Sequence, residues 1–293
     1  MFALFGSALS SDAAGTWVPL ANSPPGLAGH FLLLSDGTVM AENYTTNYGP
    51  GWLRLTPDIH GSYINGTWST LASMHDTRLD FESDVLTDGR VFVSGGEYGS
   101  GIATSEVYSP VSNVWTIVPV ATDLLDPAQD SEQFGELQGF YDCSSVVIAD
   151  GQVLLAPTGA STPGQTMLFN PDSNSWQAGP TTVYQQIGYQ AEASWVKLPD
   201  NSILTVDGYT TSAERYIPAS NAWISDATCS VALYDSYEDE EGPALLLPSG
   251  KAIFSAPPDT PPFTRLPAAR ARAVGWLALT FPTARACRTR LPP

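Results

Sequence analysis

Apolar residues in this chain fall in short continuous runs rather than in the i, i+3, i+4 stripes of amphipathic helices. The runs come in pairs joined by a polar turn. One pair reads Leu32-Leu-Leu-Ser-Asp36-Gly37-Thr-Val39-Met40. It returns around Asp88-Gly89, Asp150-Gly151, Asp200-Asn201 and Ser249-Gly250. The turn positions 37, 89, 151, 201 and 250 are 52, 62, 50 and 49 residues apart. Asp-Gly and Asp-Asn supply the positive φ of tight hairpins, and flanking runs rich in Val, Ile and Leu suit strands buried on both faces. The pattern predicts an all-β chain built from a unit of roughly fifty residues.

A second signature follows each hairpin. It reads Glu106-Val-Tyr108-Ser-Pro110-Val-Ser-Asn113-Val-Trp115, and recurs as Met167 to Trp176 and as Glu214 to Trp223. An aromatic ends one strand, Pro and Asn make a turn, and Trp opens the next strand. Gly66-Thr-Trp68 and Gly15-Thr-Trp17 are shortened copies. Each unit therefore predicts four antiparallel strands. Together with Gly95-Gly96, the Tyr-x-Pro-x-x-Asn-x-Trp spacing resembles kelch repeats, and more specifically the propeller domain of the galactose oxidase-like family, over residues 15–256. The resemblance implies a kelch-type β-propeller with blades over 27–72, 79–120, 140–180 and 190–227. A fifth begins near 240 and loses its pattern after Ala256. The family closes its ring with six or seven blades, and Trp17 would belong to the outer strand that completes the last one.

Composition narrows the function classes. Hydrophobic residues make up 43% and charged residues 14%, which excludes a disordered chain. The net charge of −18 disfavours nucleic-acid and anionic-membrane partners. No run approaches the roughly twenty apolar residues of a membrane-spanning helix. Residues 257–293 hold six arginines and one acid, leaving 6 basic and 29 acidic residues in 1–256. This Arg/Pro/Ala-rich tail reads either as a basic disordered segment or as sequence out of frame, and is set apart from the fold. Residues 1–14 read as a signal remnant or a frayed terminus. Two sequons, at Asn43 and Asn65, and few lysines suggest an exported protein, secreted or periplasmic. Cys143 and Cys229 could pair only if their Cα atoms lie within about 7 Å.

The family resemblance also implies a copper site, which these residues do not supply. Cys143 stands near the position of the family's crosslinking cysteine, and Tyr189 resembles its tyrosine neighbourhood. The family's Tyr-His pair maps by register onto Glu240-Glu241, and the only histidines, His30, His60 and His75, precede Cys143. Copper(II) favours imidazole, so copper-radical oxidation is not expected.

Register points to something else. Nine residues before each hairpin turn stand Ala28, Asp80, Asp142, Glu192 and Glu241, with Glu82 and Glu240 close by. In a propeller these positions surround the central channel. A ligand-binding set of Asp80, Asp142, Tyr189, Glu192, Glu240 and Glu241 follows. Within it Asp142, Glu192 and Glu241 are candidate ligands for Ca²⁺ or Mg²⁺, which prefer hard oxygen donors. The competing reading is a solvated acidic rim. The recurrent Trp68, Trp115, Trp176 and Trp223 read as core. Tyr44, Tyr48, Trp52, Tyr98, Tyr141, Tyr189, Tyr209, Tyr234 and Tyr237 read as loop aromatics, packing locally or stacking on sugars. The expected function is non-catalytic binding of a glycan or protein partner at the channel-face loops. The alternative is a carbohydrate-active enzyme, a hydrolase, lyase or degenerate oxidase, using the acidic axial site.

Overall fold

The computed structural model describes residues 18–45, 49–96, 98–119, 121–125, 139–184, 190, 192–207, 210–233 and 241–255, with the backbone alone of 277–279. The chain is all-β. β1 (Ala28–Leu33), β2 (Val39–Asn43), β3 (Trp52–Thr56) and β4 (Thr67–Thr70) form the first antiparallel sheet. The short β5 (Arg78–Leu79) leads into β6 (Glu82–Val85) and β7 (Val91–Ser94). β8 (Tyr98–Gly99) folds back on β5, and β9 (Ser105–Ser109) and β10 (Val114–Val118) complete the second sheet with β6 and β7. The third sheet is β11 (Ser144–Val147), β12 (Val153–Ala156), β13 (Gln165–Asn170) and β14 (Ser175–Thr181). The fourth is β15 (Trp195–Lys197), β16 (Ile203–Val206), β17 (Ala213–Ile217) and β18 (Ala222–Ser225). A single 3-10 turn at Pro218–Ser220 is the one helical element described. The fifth sheet holds β19 (Ala244–Leu246), β20 (Ala252–Phe254) and β21 (Leu277–Leu279), so the segment set apart as a tail supplies a paired strand.

The repeated residues act as their types dictate. Gly37, Gly89, Gly151, Asn201 and Gly250 all have φ between 65° and 88°. Each preceding Asp (36, 88, 150 and 200) accepts the amide two residues on, at 2.9, 3.0, 3.1 and 3.0 Å, the short polar turn expected of Asp. In the second signature Asn113, Asn174 and Asn221 take the left-handed conformation. The Tyr108 and Tyr216 hydroxyls donate to Asn113 and Asn221 Oδ1 at 2.8 and 3.0 Å. Phe169 has no hydroxyl, so that bond drops out of the third sheet.

Packing runs from sheet to sheet. The first strands lie side by side in order, β1 on β6, β6 on β11, β11 on β15 and β15 on β19. Alternate positions of each sheet face opposite neighbours. Val91, Val93 and Tyr108 pack with Met40 and Trp52 of the first sheet, whereas Phe92 and Val107 pack with Val153, Leu155 and Phe169 of the third. Leu154 and Leu168 meet Ile203 and Tyr216, and Leu204 and Val206 meet Ala252 and Phe254.

Two buried glutamates fasten the linkers between sheets. Glu106 on β9 accepts the amides of His75 and Asp76 at 2.8 and 3.1 Å. Glu214, at the matching place on β17, accepts those of Val183 and Tyr184 at 2.6 and 3.4 Å. Glu106 also meets the fully buried Arg78 at 3.4 Å, which donates to the carbonyls of Gly95, Gly101 and Thr104. Removing Arg78 strands a buried carboxylate. Arg78→Ala is expected to destabilise the fold by about 3–5 kcal/mol, measured by urea unfolding. A loss below about 1 kcal/mol, the scale of an exposed pair, would contradict this role.

Candidate functional site

The predicted acids stand where the chain enters its first strands. Asp80, Asp142 and Glu192 share a left-handed backbone, with φ of 51°, 39° and 57°. That conformation costs a non-glycine residue roughly 1–2 kcal/mol, so its return at three matched positions marks them as equivalent. The Glu192 amide donates to the Asp142 carbonyl at 3.0 Å, joining the third and fourth sheets. Glu241 Oε2 accepts the Ser194 amide at 2.9 Å, joining the fourth and fifth. Asp80 lies near Glu42 of β2. Tyr189 and Glu240 lie outside the described residues.

Side chains on the first strands stitch each sheet to the next. His30 Nε2 meets Ser83 Oγ across the first seam. Ser144 Oγ donates to the Ala193 carbonyl, Ser194 Oγ to that of Gly242 at 3.0 Å, and Lys197 Nζ to that of Val147 at 2.8 Å. The second seam is the most acidic. Ser145 Oγ donates to Asp84 Oδ2 at 2.6 Å and lies 3.1 Å from Glu82 Oε2. One hydroxyl has one proton for two carboxyl neighbours. Both contacts are satisfied when Glu82 is neutral and donates to Ser145, while Ser145 donates to an ionised Asp84.

The electrostatics agree with that arrangement. Burial, then the charge of Asp84, pushes Glu82 up to about 8. Burial also raises Asp84, with Lys197 pulling the other way. Glu241 rises to about 8 through burial and the charges of Asp207 and Glu192. Glu42 rises to about 7 through burial and Asp80. Glu42, Glu82 and Asp84 were not in the predicted ligand set. The visible signal was a lone acid in an apolar strand, as in Val39-Met-Ala-Glu42.

Among the described residues no group of three or more His, Cys, Asp or Glu side chains is gathered closely enough to hold a metal ion. Asp142, Glu192 and Glu241, the expected Ca²⁺ or Mg²⁺ set, stand at successive seams, with the charge of Glu192 acting on Glu241. Cys143 and Cys229 are free and buried in different clusters. Burial and the charges of Glu82 and Asp142 hold the Cys143 thiol well above its ordinary range, which disfavours the thiolate.

The aromatic expectations divide. Trp115 and Trp223 are core, at 4% and 6% exposure, whereas Trp68 and Trp176 are only partly buried. Trp52 opens β3 and is fully buried, so it is not a loop aromatic. Tyr44 and Tyr98 are exposed. Tyr48, Tyr189, Tyr209, Tyr234 and Tyr237 lie outside the described residues.

No protein family and no curated protein sequence matches the chain. Among solved structures it is similar to a virginiamycin B lyase from Staphylococcus aureus, a β-propeller, at TM-score 0.53 and 10% identity over 81% of this chain and 66% of that one. It also matches a fungal alcohol oxidase of the AA5 family in complex with copper, at TM-score 0.43 and 16% identity over 78% of this chain and 57% of that one. The chain thus spans less than two thirds of either. The likeness to the lyase is one of fold, and that to the oxidase is too slight to build on.

The seams make stability depend on pH. A glutamate titrates near 4.5 when unfolded, and Glu82 and Glu241 near 8 when folded. Between those values the folded chain holds protons that the unfolded chain releases, so stability is greatest on the acid side and declines as pH rises toward 8. The melting temperature should fall from pH 5 to pH 9 on this basis. Glu82→Gln, which keeps a donor toward Ser145, should flatten the fall. A variant whose profile parallels the parent's would place Glu82 in water.

Proposed function

We propose that the chain folds as a kelch-type β-propeller of the galactose oxidase-like kind and serves as a non-catalytic binding module, its ligand a glycan held at the channel-face end of the seams. The recurrence of the unit, the ordered series of first strands and the likeness of fold to the lyase support the propeller. Sequons and composition support an exported protein.

The observation that carries the binding reading is a set of carboxyl groups with hydrogen-bonding capacity left over. Among the described residues, Glu42 Oε1 and Glu241 Oε1 are buried without a hydrogen-bond partner. An unmade bond of this kind costs about 1–3 kcal/mol, and a ligand that completes it gains accordingly. Sugar hydroxyls both donate and accept, so they suit these acids in either protonation state. A cationic protein segment suits them less. At neutral pH Glu82 and Glu241, titrating near 8, are mostly uncharged. A cation must first draw the protons off, at about 1.4 kcal/mol for each pK unit.

Calorimetric titration with neutral oligosaccharides in two buffers of different ionisation enthalpy tests this. The expected result is equal heats in both buffers, with one class of site lost in Glu82→Ala/Glu241→Ala protein of unchanged circular dichroism. Binding of a basic peptide with proton release, and of no sugar, would assign the partner to the protein class. A second reading, acid/base catalysis on a glycan, rests on one observation: the carboxyl groups of Glu82 and Asp84 share the Ser145 hydroxyl. Reducing-sugar release abolished by Glu82→Gln would favour the enzyme.

A further inference from the structure

The outer strands carry a feature that the seams do not explain. In the first three sheets the recurrent tryptophan at the start of the outer strand donates its indole N–H to the incoming segment, whereas Trp223 of the fourth makes no such bond among the described residues. Trp68 donates to the Asn22 carbonyl at 3.2 Å, Trp115 to that of Ala72 at 2.9 Å, and Trp176 to that of Pro119 at 3.0 Å. In the second sheet the indole is sealed, with Trp115 only 4% exposed. In the first and third sheets it is partly open, and a cavity lies against it in each. The first, of about 330 Å³, is lined by Asn22, Ser23, Pro25, Thr67 and Trp68. The second, of about 340 Å³, is lined by Thr122, Asp123, Asn174, Trp176 and Gln177, among others.

The two cavities are the same place in two copies of the repeat. Each is walled on one side by the tryptophan and its preceding residue, Thr67 or Ser175, and on the other by the segment that accepts the indole N–H. They also share a chemistry. An indole supplies apolar surface, and hydroxyl and amide groups surround it. The first cavity has no charged lining residue, and the second has Asp123 alone. Phosphate and nucleotide ligands would find no cation there, and ammonium groups would find a carboxylate in only one of the two. Both are shallow hollows open to solvent, the form of a site that holds one face of a ring. A pyranose meets all these conditions, with apolar C–H edges for the indole and hydroxyls for the amides and side-chain hydroxyls.

We propose that the outer edges of the first and third sheets carry two equivalent saccharide subsites, floored by Trp68 and Trp176 and separate from the channel face. The subsites stand or fall independently of the channel-face reading. Two weak sites on one body favour a polymeric or clustered glycan over a free monosaccharide, because the second contact forms at high local concentration.

The test uses the full chain and residues that contribute nothing to the core. Ser23, Thr67, Asp123 and Gln177 are all exposed. Saturation-transfer NMR and calorimetry against cellotriose, mannotriose, galactotriose and chitotriose should show binding by the parent protein, with indole fluorescence perturbed. Ser23→Ala/Thr67→Ala and Asp123→Ala/Gln177→Ala should each remove one class of site and weaken binding of the matching polysaccharide by about tenfold, the loss of one to two hydrogen bonds. Their melting temperatures should match the parent's. The subsites are overturned if no trisaccharide binds the parent. They are equally overturned if binding survives all four substitutions and is lost only in Glu82→Ala/Glu241→Ala protein, a result that would leave the channel-face reading intact.

Discussion

Every interior sheet of this chain is apolar on both faces, and that constraint governs the rest of the structure. A sheet that presents Val91, Val93 and Tyr108 on one side and Phe92 and Val107 on the other cannot rest against a single neighbour with the far side in water. It needs a sheet before it and a sheet after it. Burying a large apolar side chain is worth about 1.5–3 kcal/mol, and each seam buries several. No single hydrogen bond in the molecule, at roughly 0.5–1.5 kcal/mol, competes with that sum. The serial order of the sheets follows from the alternation of two apolar faces, and the polar groups have to fit around it.

They fit by closing the ends of the seams. The matched positions Glu82, Ser144 and Ser194 all reach forward to the next sheet, and Ser83, Ser145 and Lys197 reach back. Serine does this without charge. Where the repeat places an acid instead, the low dielectric of the seam raises its pKa until a neighbouring hydroxyl can share the proton. The acidic character of this end of the seams is therefore partly latent. Several of its carboxyl groups are hydrogen-bonding groups first and charges second, which is why the net charge of the chain is a poor guide to the ligand.

Much of this was legible in the sequence, and the limits are instructive. The Asp-Gly turns, the Tyr-Asn-Trp signature and the nine-residue offset of Asp80, Asp142 and Glu192 were readable because each is local, set by φ preference and period. Glu42, Glu82, Asp84, Glu106 and Glu214 were not. Alternation shows that a strand residue is buried, not which sheet it meets, and the partners of these acids come from other units. Glu106 and Glu214 lie 31 residues beyond the amides they hold, His75 and Val183. That equal separation could have been found had paired acids on third strands been compared with the linkers. Trp176 packs against the core with part of its ring open, and Trp68 is likewise only partly buried, because the motif does not fix the cover of the indole. The cover comes from the preceding segment, whose sequence does not repeat.

The two ends of the series test the governing constraint from the other side. By register Leu33 matches Val85, Val147 and Lys197, which all face the preceding sheet, and Phe31 matches Ser83 and Ser145. With no sheet before them among the described residues, Phe31 and Leu33 are 61% and 64% exposed. Leu245 matches Val146 and Val196, which face the following sheet, and is 50% exposed. The apolar residues are the same kind throughout, and those at the two ends are the more exposed. Each end thus carries half of an interface that the interior forms four times. The two halves are complementary in kind, one facing backward and one forward. A series with such ends lowers its free energy when apolar surface covers them.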